Sequence, residues 1–207
     1  MTRSFHASWN ELPPITSADR SEHLPLSFAQ QRLWFLAQME GVSEAYHIPF
    51  GLRLKGELDG VALCCALGRI VARHEALRTS FAFIDGEPVQ RITAVEDSCF
   101  HLIEHDLRKH SNAQAELERL TALEADSSFD LEAGPLIRGR LICLAEDEYT
   151  LLITMHHIVS DGWSMGIFAN ELSALYAAFL DGREQSQLLD RAAVGKCAVG
   201  RNQSASS

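Results

Sequence analysis

At 207 residues, with 46% hydrophobic and 22% charged content, the chain can bury one sizeable core and is too short for two full domains. Its formal net charge of -10, with no Lys/Arg run to offset it locally, argues against nucleic-acid binding. Neither a signal-peptide core nor a run of membrane-spanning length is present, so a cytoplasmic location without membrane contact is expected.

Residues 1–24 carry Pro13-Pro14 among polar residues and read as a linker. Ser27 with Gln30 forms a capping-box pattern, and the helix it opens turns Leu33, Trp34, Leu36 and Ala37 toward a core. His47 to Lys55 alternates Ile48, Phe50, Leu52 and Leu54, which suits a half-buried strand despite Pro49. Asp59 caps a second helix whose Leu63, Ala66, Leu67, Ile70 and Val71 recur at helical spacing. Arg73, His74, Glu75 and Arg78 follow as helix-end charges rather than active-site groups.

Thr79 to Ile84, a turn at Asp85-Gly86, and Pro88 to Ile92 read as a hairpin, with a further strand from Phe100 to His105. Ser111 to Ser127 is a polar amphipathic helix, and Phe129 to Pro135 a loop. Leu136 to Ala145 can pair with Tyr149 to His156 through the acidic turn Glu146-Asp147-Glu148. Phe168, Leu172, Leu175, Tyr176 and Phe179 mark a last helix that Gly182 can end. Residues 184–207 show no apolar period and are expected to form a disordered, aberrant tail. This order of elements predicts an α/β sandwich, a mixed sheet covered by helices.

The five cysteines (Cys64, Cys65, Cys99, Cys143, Cys197) show neither disulfide-framework spacing nor a Cys-x-x-Cys pair, and read as reduced packing residues. The most informative segment is Met155-His156-His157-Ile158-Val159-Ser160-Asp161-Gly162-Trp163-Ser164, where an apolar, β-rich run meets a loop of titratable groups. In extended backbone, neighbouring side chains point to opposite faces, so His156 and His157 cannot both reach one reacting atom, and at most one is a base. For the same reason the two imidazoles and Asp161 converge poorly on a metal, and no metal site is expected. Taken alone, a histidine at a strand end is more often a satisfied structural residue than a catalytic one.

This ten-residue string resembles the signature motif of condensation domains of nonribosomal peptide synthetases. Ser27 to Leu36 and Arg73 to Phe81 are similar to that family's first two core motifs, in the family's order, and Phe129 to Arg138 resembles a further common stretch. The resemblance spans roughly Leu12 to Arg183, and the motifs are those of the N-terminal lobe only, assigned to residues 25–183. It implies a chloramphenicol acetyltransferase-like sandwich, one lobe of the usual two.

The implied chemistry joins carrier-bound aminoacyl or peptidyl thioesters through an amide bond, with an L-residue donor and L-residue acceptor favoured. His157 matches the family's catalytic histidine. His156, Asp161 and Gly162 are implied to support the motif, Gly162 by allowing close backbone approach and Asp161 by pairing with an arginine; if that arginine belongs to the second lobe Asp161 stands unpaired here, and otherwise Arg32, Arg78 and Arg138 are local candidates. Trp163 is expected to anchor the following helix in the core, ahead of the alternative of a substrate contact. Substrates would arrive on the phosphopantetheine of partner carrier proteins, with no cofactor bound covalently to the chain itself. A separate C-terminal lobe or self-association would complete the site, and without it the isolated chain is expected to be inactive and to expose an apolar face. Two alternatives belong beside this reading: a non-catalytic carrier-docking or lobe-complementing module, and an oligomeric coenzyme A-dependent acyltransferase.

Overall fold

The computed structural model describes residues 19–20, 23–39, 43–182 and 196–202. Most of the linker expected over 1–24 lies outside the described residues. After a two-residue strand β1 (Leu24–Pro25), Ser27 opens α1 (Phe28–Ala37) with a complete capping box: its hydroxyl accepts the Gln30 amide and the Gln30 side chain accepts the Ser27 amide. A 3-10 turn (Ser43–Tyr46) leads into β2 (His47–Lys55), followed by α2 (Gly60–Arg73), which Asp59 caps through the Ala62 amide. Strands β3 (Thr79–Ile84) and β4 (Glu87–Ile92) form the expected hairpin. Its turn places Asp85 at φ 52° and Gly86 at φ 88°, the left-handed pair that a two-residue hairpin turn requires. With β1, this hairpin makes a three-stranded antiparallel sheet in the order β1-β4-β3.

The larger sheet holds β5 (Cys99–Asp106), β6 (Ile137–Ala145), β7 (Glu148–His156) and β8 (Lys196–Asn202) in the order β2-β7-β6-β5-β8. β6 and β7 pair as the predicted antiparallel hairpin, and β7 pairs antiparallel with β2 on its other side. β5 runs parallel to β6 through a crossover containing α3 (Ala113–Asp126), so the sheet is mixed. β2 ends the strand order, and Pro49 is tolerated there because one edge of that strand needs no ladder hydrogen bond. α4 (Gly162–Leu180) ends at Gly182, φ 62°, as its sequence position suggests.

β7 is buried on both faces, which accounts for its nearly unbroken apolar sequence. Leu151, Ile153 and Met155 enter the main core with α2 and α4, whereas Leu152 meets Leu117 and Leu120 of α3 on the other side. Gly139 of β6 makes room for Phe100: a Cβ there would lie 2.8 Å from Phe100 Cζ. A second cluster of Leu26, Phe81, Phe129, Leu131, Leu136 and Ile158 receives Leu33, Trp34 and Ala37 from α1.

Three expectations change. β8 lies within the segment for which the sequence predicts no structure; it pairs parallel with β5, and a strand held by ladder hydrogen bonds needs no amphipathic period of its own. Residues 184–195 and 203–207 of that segment lie outside the described residues. Cys64 is disulfide-bonded instead of reduced, while Cys65, Cys99 and Cys143 are free thiols. Trp163 is 82% exposed and does not anchor α4, whose buried contacts come from Met165, Phe168 and Leu172.

Candidate active site

The histidine pair sits where β7 leaves the sheet. Strand alternation sends His156 inward, with none of its surface exposed, and leaves His157 outward and solvent-open. The backbone holds this corner on three sides. His156 N–H donates to Leu136 O at 3.0 Å, His157 N–H to Tyr46 O at 2.8 Å, and Val159 N–H to His156 O at 3.1 Å. His157 is thus fixed through its main chain while its imidazole remains accessible.

The His156 Nδ1 accepts the Ile158 amide at 3.1 Å, closing the turn. Burial, with smaller contributions from His47 and His157, pushes the His156 pKa down to about 4, so the ring is neutral near pH 7. A neutral interior imidazole suits support of the loop.

Asp161 is the N-cap of α4: its Oδ1 accepts both the Ser164 amide (2.8 Å) and the Ser164 hydroxyl (2.6 Å). These two hydrogen bonds, with a lesser Coulombic effect of His157, lower the carboxyl pKa below its ordinary value. The expected arginine partner is not found among the described residues. Arg78 binds Ala72 O, Thr93 O and Glu75, Arg138 binds Glu124 and the Ser127 and Ser128 carbonyls, and Arg32 is exposed. The observed contact of Asp161 is the helix cap. Gly162 opens α4, and a Cβ there would meet nothing within 4 Å, so no described neighbour demands glycine at this position.

Two residues of the second motif make a structural contact. Arg73 Nη1 and His74 Nε2 both reach Glu171 of α4, at 2.7 and 2.6 Å, and tie the end of α2 to that helix. Beside them lies a cavity of about 150 Å³ lined in part by His74, Met155, Ser160, Ser164, Ile167 and Phe168. The buried Ser160 Oγ has no hydrogen-bond partner among the described residues. His157 does not line this cavity.

Sequence reading missed the polar assembly on the opposite face of the sheet. Glu124, 3% exposed, receives Arg138 Nε and Arg140 Nε, and Arg140 also donates to His105 Nε2 at 3.2 Å. Burial first, then Arg140, lowers the His105 pKa. Arg138 additionally satisfies the Glu124 carbonyl, one of the otherwise unpaired acceptors at the end of α3, and its guanidinium lies 3.9 Å over the Phe129 ring. Phe129 touches His156 edge-on at 6.1 Å between centroids and His47 at 5.0 Å. Alternation along β6, which points Arg138 and Arg140 to one face, was the available signal.

A helix-covered mixed sheet whose interior strand ends in a buried and an exposed histidine, followed by a capping aspartate, defines a lobe of the chloramphenicol acetyltransferase-like class. The chain belongs within that class to the condensation-domain family, whose model ("Condensation domain") matches residues 20–203, beyond the Arg183 limit of the recognisable motifs. It is 52% identical over 175 residues to malpibaldin synthetase of Mortierella alpina, covering 84% of this chain and 3% of that protein. To a dimodular nonribosomal peptide synthase of Bacillus subtilis it is 43% identical over 171 residues, 83% of this chain and 7% of the relative. Among solved structures, the first condensation domain of the calcium-dependent antibiotic synthetase, in complex with a substrate analogue, aligns with TM-score 0.72 and 27% identity, covering 81% of this chain and 40% of that one. The starter condensation domain of rhizomide synthetase aligns with TM-score 0.72 and 24% identity over 78% of this chain and 39% of its own. The chain therefore spans about two-fifths of these solved domains. No helix among the described residues is long and apolar enough to cross a membrane.

Proposed function

We propose that this chain supplies the N-terminal lobe of an amide-forming centre, with His157 as the group that handles the proton of the attacking amine. The observation that carries the reading is the corner of β7: His157 is accessible while its backbone is pinned to Tyr46 and its neighbour His156 is buried and neutral. An amine nitrogen attacks a thioester carbonyl, the new C–N bond forms, the C–S bond breaks, and the thiol leaves with a proton. A neutral imidazole can accept the amine's proton and return it to the leaving sulfur.

The substrates in this reading are aminoacyl or peptidyl thioesters carried on the phosphopantetheine of partner carrier proteins. An L-residue donor and acceptor are favoured by the Asp161 to Ser164 and Ala45 to Pro49 segments. The chain's coverage of about two-fifths of the solved domains supports a requirement for a second lobe, on the same polypeptide or on another. In the assembled domain with loaded carriers, His157→Ala is expected to lower product formation by roughly 10²- to 10⁴-fold. Undiminished turnover would remove His157 from this role.

A second reading, a lobe-complementing or carrier-docking module without turnover, draws on exposed apolar side chains. Phe28, Phe35 and Met39 on and just beyond α1, and Trp163 and Ile167 one turn apart on α4, are all at least half exposed. Stable association with a carrier or second lobe, without product, would favour it.

A further inference from the structure

His47 and His156 stand directly opposite each other in the β2–β7 register, with ring centroids 6.0 Å apart and ring planes at 68°. Each ring has one nitrogen engaged by a backbone group of known polarity. The Ala125 carbonyl can only accept, so His47 Nδ1, 3.1 Å away, carries a proton, and in the neutral ring His47 Nε2 then presents a lone pair. The Ile158 amide can only donate, so His156 Nδ1 presents the lone pair and His156 Nε2 carries the proton. Both Nε2 atoms are buried and have no partner among the described residues. Phe129 packs edge-on against both rings. A buried donor therefore stands across from a buried acceptor, and leaving either unpaired is costly.

We propose that His47 is a positioning residue whose Nε2 accepts the Nε2–H of His156 directly, the two rings drawing toward each other to close the gap between them. The consequence is mechanical. The end of α3 is linked through Ala125 O to His47, through His47 to His156, and through His156 to the turn that follows His157. The main chain beside His47 works in the same direction, since Tyr46 O holds the His157 amide. The two opposite tautomers are needed together: protonation of both Nε2 atoms would set donor against donor. The link stands on hydrogen-bond geometry alone; only its consequence for turnover rests on the proposed role of His157.

The test is long-range ¹⁵N–¹H correlation of the imidazole rings in the full chain near neutral pH, which distinguishes Nδ1–H from Nε2–H. The expected result is Nδ1–H for His47 and Nε2–H for His156, with the His156 Hε2 proton slow to exchange. Nε2–H on both rings, or a protonated His156 Nδ1, overturns the proposal. In His47→Asn, the short amide can keep the bond to Ala125 O but offers no counterpart of Nε2. His156 Hε2 should then exchange about tenfold faster, the loss of one ordinary hydrogen bond, while the backbone spectrum stays folded. Unchanged exchange in that folded variant overturns the proposal. Should the variant fail to fold, the tautomers of the unaltered chain decide. Loss of activity in His157→Ala leaves these spectra untouched, so the two ideas fail separately.

Discussion

The two faces of the five-stranded sheet solve different problems. Against α2 and α4 the sheet is apolar, with Phe100, Leu151, Ile153 and Met155 packed on Leu67, Ile70 and Phe168. Against the end of α3 it is polar, with one buried carboxylate, Glu124, between two guanidiniums and Phe129 bridging to the His47–His156 pair. Nondirectional burial is enough to hold helices on a sheet, but it sets ring orientation weakly. Hydrogen bonds and ion pairs have direction, and the polar face is where the interior side of the histidine corner is oriented.

Breaking the polar face should have the largest effect on stability. Glu124→Ala leaves Arg138 and Arg140 largely buried without their counter-charge and is expected to cost roughly 3–5 kcal/mol, read as a lowered urea midpoint. Ile153→Ala on the apolar face should cost about 2–5 kcal/mol by transfer and cavity terms. The sharper contrast is in function: in an assembled domain, a Glu124 variant that still folds should lose turnover out of proportion to its stability, whereas Ile153→Ala should not. Equal losses per unit of stability would erase the distinction between the faces.

The polar face also predicts a pH dependence. His156 has its folded pKa lowered to about 4 from an unfolded value near 6.5, so the unfolded chain binds more protons between those values. Its contribution is fully present above about pH 6.5 and is lost as the pH falls toward 4, on the order of 3 kcal/mol in all. The lowered His105 pKa acts in the same direction. Urea midpoints should hold from pH 7.5 to about 6.5 and then fall steadily to pH 4.5, and His156→Phe should flatten that fall.

The smallest change lies at the start of α4. Asp161→Ala removes a cap and is expected to cost about 0.5–2 kcal/mol. Asp161→Asn or Asp161→Ser, each able to accept the Ser164 amide, should recover most of that loss. If Asp161→Asn is as unstable as Asp161→Ala, the charge and not the cap is the important feature.

Local rules accounted for much of the fold. The caps at Ser27 and Asp59, the Asp85-Gly86 turn, the Gly182 stop and the opposed histidines each depend on a few consecutive residues, and each is found where the sequence placed it. Trp163 failed because α4 is apolar around much of its circumference, and periodicity cannot select one buried face from such a helix. β8 escaped because its order comes from a strand far away in the chain. None of the three local arginines considered for Asp161 bonds it, and its contact lies only three residues away, at Ser164.

By itself the sequence determined the family, the order of strands and helices from α1 to α4, and the fact that only one of two adjacent histidines can face a reacting group, because these follow from motif and backbone period. Only the tertiary structure decided that Glu124 meets Arg138 and Arg140, and that His47 reaches both Ala125, 78 residues away, and His156. Such partners are selected by sheet register and by the docking of α3, which depend on the whole chain closing around its core rather than on any local pattern.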